Sequence, residues 1–478
     1  MPSLFMIFLI NASLLFTNIK SEEEKEKLVF VVVHFRHGAR APQRFYKGYK
    51  DYAKEEWKIP GELTPSGERM LYLLGLRNHY RYIEDNIFLS STYDPHELLV
   101  YSSRLNRTLI SASSHLQGLY PFFSKEQDHL LNENELEFAF PQVNLSDERI
   151  QKNILELNNN SLPNNITLIP IHMISDNDKK IILFDIPPCT EKRDKIKKKN
   201  EKLKIMQDLE KEFNDNYGEN LKNFYEDKPV FDLKLIDNFC DAFISDYING
   251  RPMEELQKTN IEFTEVLNYC YKFQANIFYN WFNGNGKKDL AYLEVSKFMK
   301  EILYFMEQRV KADQIGEKIE EKYEDYSRPK MLIISGHDST TSMYEIFLQD
   351  VFEKNPEFYK ATKFTTQITF EVTTSNDNNN NNKTDKDYFV NYYFDDERLL
   401  RVTMAEFVEK VSQALWDDKK INKFCGFEES DSDIKKIALI ILICTTAVFL
   451  ITTIILLIML INVKKKGISS TKIEAILD

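Results

Sequence analysis

Three unbroken apolar runs stand out against a largely amphipathic chain: Leu28–Phe35 (LVFVVVHF), Leu98–Ser102 (LLVYS) and Met331–Ser335 (MLIIS). Apolar runs without alternation predict strands of a sheet that is covered on both faces, as in parallel α/β architecture. Between the first two, LTPSGERMLYLLGLRNHYRY supplies Thr64 as a helix cap and Pro65 at the first helical position, and apolar residues then recur at helical spacing through Leu76. Strand, helix and strand in that order form a βαβ unit. A second helix is predicted in LNRTLISASSHLQGLY, with Arg104 at or just before its start. The stretch 185–310 has a different texture. It has little strand character and carries amphipathic segments such as FTEVLNYCYKFQANIFYNWF, which predicts a mostly helical cap inserted into an α/β domain made of 22–184 and 311–433. Residues 375–387 (SNDNNNNNKTDKD) are low in complexity and read as a surface loop between two late strands.

The ends of the chain change the picture from a soluble domain to an anchored one. Leu4–Phe16 (LFMIFLINASLLF) is too short to span a bilayer and reads as the apolar region of a signal peptide within 1–21. Ile437–Ile461 carries no charge and is long enough to cross the hydrocarbon core as a helix. Lys464, Lys465 and Lys466 follow it, which places the tail 464–478 in the cytosol and the body of the chain in a lumen or outside the cell. Of five cysteines, Cys444 falls in the membrane segment; Cys189, Cys240, Cys270 and Cys425 remain, a number suited to two disulfides in an oxidising compartment. Asn106, Asn144, Asn159, Asn165 and Asn382 each begin a glycosylation sequon, in keeping with that side of the membrane.

Charge narrows the chemistry. With a net charge of -12 over 478 residues, the chain is not a general nucleic-acid binder, so any anion site must be a local basic pocket. The lysine run EKRDKIKKKNEKLK is interleaved with acids and reads as a solvated helix face. Absence of C-x-x-C and H-x-x-x-H spacings speaks against a metal site, and no cofactor is implied.

All three apolar runs end in chemistry-bearing residues: Arg36, His37, Gly38 and Arg40 after the first, Arg104 after the second, and Gly336, His337 and Asp338 after the third. In open α/β sheets ligands bind beyond the carboxyl ends of the strands, so these clusters predict one crevice. Hydrolysis of a phosphomonoester needs fixed donors for the phosphate oxygens, a nucleophile in line with phosphorus, and an acid for the departing alkoxide. Arg36, Arg40 and Arg104 supply guanidinium forks, Arg104 beside a helix N-terminus that itself favours an anion. His37 is the candidate nucleophile, His337 a further donor, and Asp338 the general acid. Arg107 reads as a partner for a carboxylate or a helix cap. His34, His79, His115 and His172 read as packed or surface residues.

These residues carry a family resemblance. RHGARAP at 36–42 matches the R-H-G-x-R-x-P signature of the histidine acid phosphatases, and SGHDST at 335–340 resembles their second active-site motif. YSSRLNRTLISA resembles the segment holding the third phosphate-binding arginine, LTPSGERMLYLLGLRNHYRY the first helix, and IPIHMISDNDKKII a structural strand segment. The resemblance covers roughly residues 28–425. It implies a mixed, mainly parallel sheet flanked by helices, of the phosphoglycerate-mutase type, with a helical cap, and a covalent phosphohistidine mechanism that needs no metal. In that scheme His37 is the nucleophile, Asp338 the proton donor, and Arg36, Arg40, Arg104 and His337 the phosphate ligands of a small-molecule monoester. It also implies pairing of Cys189 with Cys425 and leaves Cys240 to pair with Cys270, because two segments that carry cysteines in animal members lack them here. The architecture is similar to that of single-pass lysosomal members, for which a homodimer is compatible; the tail lacks a tyrosine, so lysosome, endosome and cell surface all stay open. The rival readings are a phytase-like inositol-phosphate phosphatase on the same fold and a non-catalytic surface glycoprotein. Loss of His37 or Asp338 would have marked the latter.

Overall fold

The computed structural model describes residues 26–43, 57–121, 130–143, 145–174, 190–222, 230–251, 261–315, 329–375, 383–426 and 431–474. Seven strands form one sheet: β1 (Lys27–Arg36), β2 (Leu98–Ser102), β3 (His172–Met173), β4 (Met331–Gly336), β5 (Gln367–Thr374), β6 (Tyr388–Phe394) and β7 (Glu397–Thr403), in the order β3-β2-β4-β1-β5-β6-β7. The three apolar runs are the neighbouring strands β2, β4 and β1, all parallel. β3 extends the parallel part as a short edge, and β5, β6 and β7 add antiparallel strands at the other side.

Register explains why three distant stretches end together. Phe35 and Ser102 both pair with Ser335, and Arg36 pairs with Gly336, so the carboxyl ends of β1, β2 and β4 lie in one row. The loops that follow these strands therefore start side by side at one edge of the sheet. The ordered packing beneath this row comes from Val31, Val33 and Phe35 of β1 meeting Leu98, Val100 and Ile333 of the neighbouring strands and Leu71 and Leu116 of the covering helices. Burial of each such side chain stabilises by about 1.5–3 kcal/mol.

Those covering helices are α1 (Pro65–His79) and α2 (Asn106–Leu119). Thr64 caps α1 as the sequence predicts, accepting from the Gly67 amide, with Pro65 in the first turn. The two helices approach until backbone meets backbone: a Cβ at Gly75 would lie 1.9 Å from the His115 carbonyl oxygen. No residue with a side chain fits there.

Between β3 and β4 every element described is helical. Among these are α3 (Leu233–Ile248), α4 (Phe263–Asn283) and α5 (Asp289–Ile315). α3 and α4 share a core with Met206, Leu209 and Phe213, joined by Phe239 and Phe273, and are tied by the Cys240–Cys270 disulfide. Two residues of the strand-end loops, Ala39 and Phe364, belong to this same core, so the helical segment is packed directly on the crevice. α5 packs instead on β1 and on α6 (Asp338–Val351), flanking the sheet. Most of the lysine run lies in the helix Thr190–Asn200, mostly solvent-facing, with Lys197 placed 4.8 Å from the Trp281 ring centroid.

The chain divides into two compact units, Met1–Trp416 and Asp417–Asp478. The second contains the helix Asp431–Glu474, whose segment Leu439–Asn462, with mean hydropathy 2.8, is long and apolar enough to cross a membrane. Cys425 is disulfide-bonded and Cys444 is free; Cys189 lies outside the described residues, as do the apolar N-terminal run and Asn144 and Asn382 of the sequons.

Candidate active site

The end of β1 supplies the centre of the crevice. The His37 amide donates to the Gly336 carbonyl at 3.0 Å, locking the loop of β1 to the end of β4. Gly38 follows because nothing larger fits: a Cβ there would lie 2.4 Å from the Gly67 carbonyl oxygen. The Gly38 amide donates to the Ser111 hydroxyl at 3.2 Å.

His37 is buried, and its Nδ1 lies 2.9 Å from the Gly38 carbonyl oxygen. A carbonyl only accepts, so Nδ1 carries the proton and Nε2 of the neutral ring keeps its lone pair. Burial, and after it the charges of Arg36, Arg40, His337 and Arg107, hold the imidazole well below its ordinary pKa of 6.5. The ring is therefore an uncharged base or nucleophile even in acid, with cations about it that would attract an anion.

Arg36 is buried and triply held. Its Nη1 donates to the Thr362 carbonyl at 2.9 Å, its Nη2 pairs with Asp338 Oδ2 at 2.7 Å, and its guanidinium lies 4.5 Å from the Phe364 ring centroid. Burial lowers its pKa, partly opposed by Asp338. Arg40, also buried, donates from Nη1 to the Ala41 carbonyl and from Nη2 to Asp241 Oδ1 at 2.7 Å, while Asp241 Oδ2 accepts from the Gln43 amide. His337 occupies the cap position of α6, its Nε2 3.3 Å from the Ser103 hydroxyl, its ring 5.4 Å from that of His37. Burial first, then Arg107, Arg36 and Arg40, lower its pKa well below 6.5. Asp338 opens α6, its carboxylate part-exposed toward the crevice and also accepting from the Ser339 amide.

Five of the six expected site residues thus converge: Arg36, His37, Arg40, His337 and Asp338. Arg104 does not. It is exposed and precedes the cap residue Leu105 of α2, whereas Arg107, one turn further, is the arginine of this segment whose charge acts on His37, His337, Arg36 and Arg40. Its Nε is buried without a hydrogen-bond partner among the described residues, and burial brings its pKa down to about 10. The reason is helix phase. Residue 104 is not yet in the helix, and residue 107 lies on the turn that faces the crevice. The charge of Arg107 also faces the carboxylates of Asp338 and Asp241, in keeping with the expectation of a carboxylate partner. Sequence reasoning also passed over Asp241, Phe364 and Thr362, whose segments carry no motif of their own, and Ser111, which lies within the motif segment that holds Arg104 and Arg107.

Residues 27–395 match the family model described as histidine phosphatase superfamily (branch 2). The chain belongs to that family. Stretches of it are similar to lysosomal acid phosphatases: 31% identical over 193 residues to that of Xenopus laevis, covering 39% of this chain and 35% of the relative, and 40% identical over 96 residues to that of Homo sapiens, covering 20% and 22%. The chain thus spans about a third or less of the length of the curated relatives it matches. Among solved structures, the phytase from Citrobacter braakii has the same fold, with TM-score 0.52 at 13% identity over 84% of this chain and 99% of the other. The mixed α/β fold expected from the apolar runs, and the histidine phosphatase family that the motif resemblance implied, are therefore those of this chain.

Proposed function

We propose that the protein hydrolyses phosphate monoesters through a phosphohistidine on His37. One observation carries this: a buried, neutral imidazole with its Nε2 lone pair free, ringed by three arginines, and linked through Arg36 to the carboxyl of Asp338. In this reading Arg36, Arg40 and Arg107 with His337 hold the non-bridging oxygens, Arg107 taking the role expected of Arg104. His37 Nε2 attacks phosphorus in line, the ester P–O bond breaks, and Asp338 gives its proton to the departing alkoxide. Asp338, now a carboxylate, takes a proton from water, which attacks the phosphohistidine and releases phosphate. Positive charge at the transition state comes from guanidinium forks, whose fixed geometry is the electrostatic part of catalysis. No cofactor is needed in this scheme.

The acid phosphatase reading is favoured over an inositol-polyphosphate phosphatase because the lysine run that would suit a polyanion is mostly solvent-facing, with Lys197 spent on Trp281. The proposal extends to the setting: a signal peptide, a catalytic body in a lumen or outside the cell, glycosylation at sequons such as the exposed Asn106, and a single-pass anchor at Leu439–Asn462, in lysosome, endosome or cell surface. The test is hydrolysis of p-nitrophenyl phosphate in acid without added divalent metal by the detergent-solubilised chain. Turnover that disappears in His37→Ala supports the proposal; turnover that survives that substitution, or that appears only with a divalent ion, overturns it.

A further inference from the structure

The wall beside Asp338 is built by α4 and the loop before β5. Tyr271 of α4 lies within electrostatic reach of Arg36, whose Nη2 holds Asp338. Its ring packs against the core that contains Phe364, and the ammonium of Lys363, next to Phe364, is 5.2 Å from the ring centroid. One helical turn on, the Ala275 carbonyl accepts from the Tyr359 hydroxyl at 3.1 Å, and Tyr359 is in turn within reach of the Asp338 charge. Residues 271 and 275 share a helix face. That face therefore runs from Arg36, the partner of Asp338, toward the first turn of α6, which Asp338 opens.

Tyr271 is half-buried while Lys363 is exposed, so part of this aromatic edge is open to solvent beside the general acid. Burial raises the phenol pKa, with Arg36 opposing, so the ring is neutral throughout the acid range. A neutral aromatic surface flanked by an ammonium is suited to an aromatic ring and repels neither a neutral nor an anionic substituent.

We propose that Tyr271 is the surface against which the leaving group lies, so that the site favours aryl over alkyl phosphate monoesters. The inference rests on the phosphatase reading above and adds a specificity determinant to it. Its test is the ratio of kcat/KM for O-phosphotyrosine to that for glycerol 2-phosphate, measured on the full chain in detergent. Comparison of variant with parent cancels the greater intrinsic reactivity of aryl esters. Tyr271→Leu, which keeps an apolar group against the helical core, is expected to lower the ratio about fivefold to tenfold, the worth of one aromatic contact, and Tyr271→Phe to keep it. Competitive inhibition provides a readout independent of turnover: phenylphosphonate should lose affinity for Tyr271→Leu more than methylphosphonate does. An unchanged ratio in Tyr271→Leu, or an equal loss in Tyr271→Phe, overturns the inference while leaving the phosphatase reading in place. Failure of the parent chain to hydrolyse either ester overturns the reading on which it rests.

Discussion

Removing the side chain of Arg107 and, separately, that of Arg104 separates the geometry of the site from the spacing of its motif. Arg107 projects its charge onto His37, His337, Arg36 and Arg40, and its Nε is buried without a partner among the described residues, as expected of a donor reserved for an anion. Loss of one such donor at a buried oxyanion typically costs roughly 100-fold to 1000-fold in kcat, or about 2.7–4 kcal/mol. Arg104 is exposed, and substitutions at such positions usually change free energies by less than about 0.5 kcal/mol. Steady-state hydrolysis of p-nitrophenyl phosphate by the two alanine variants should therefore differ by two orders of magnitude or more, with Arg107→Ala the slower. A second readout comes from the pH profile. Arg107 helps to depress the pKa of His37 and of His337, so its loss lets both rise, and the acid limb of kcat/KM should move to higher pH. Arg107→Lys restores charge without the planar fork and should recover only part of the activity. A hundredfold loss in Arg104→Ala beside near-parental turnover in Arg107→Ala would refute the assignment.

Three further outcomes are expected. Asp338→Asn removes the carboxyl proposed as proton donor, which Arg36 holds at 2.7 Å, so turnover of an alkyl ester should fall by about 100-fold to 10,000-fold and that of p-nitrophenyl phosphate, whose leaving group needs little protonation, by much less; equal losses would show a different role. Asp246 accepts from Trp57 Nε1 at 3.0 Å, and burial raises its pKa from 3.8 to about 7, so the folded chain keeps a proton that the unfolded chain gives up and stability from this group falls as pH rises through that window. Asp246→Asn should gain on the parent by up to ~1.4 kcal/mol per pH unit across the window and then level off; a pH-independent difference in denaturant midpoint would contradict this. Gly75→Ala, which in an ordinary helix would stabilise, must push α1 off the His115 carbonyl and should instead cost about 1–3 kcal/mol, read as a lower thermal midpoint; a raised midpoint would refute the close approach.

Much of this was legible in the chain. β1, β2 and β4 are buried along their lengths, so their sequences are apolar without interruption, and the residues that stop each run are those the register brings level. Thr64 and Pro65 announced α1 because caps are local chemistry. What the pattern did not reveal depends on phase and on distance. Arg104 and Arg107 flank the start of α2, and only the placement of the cap at Leu105 decides which of them turns inward. Asp241 reaches Arg40 from a helix 201 positions away, and Phe364 stacks on Arg36 from a loop with no periodicity. β5 alternates polar and apolar residues, the pattern of a strand open on one face, yet it is buried on both, because Gln367, Thr369, Glu371 and Thr373 are covered as well as Ile368, Phe370 and Val372. The Cys240–Cys270 bridge was expected from the resemblance and not from any local pattern, since it joins two helices whose sequences show only that each has a buried face.

The central claim is that phosphate passes through a covalent bond to His37. Acid or base quenching of the full chain during turnover of a labelled monoester tests it directly. The account predicts label on His37 that survives alkali and is lost in acid, and none in His37→Ala. Label on a serine or an acid-stable adduct, or turnover by the parent with no trapped label under conditions where breakdown of the adduct limits the rate, would contradict it.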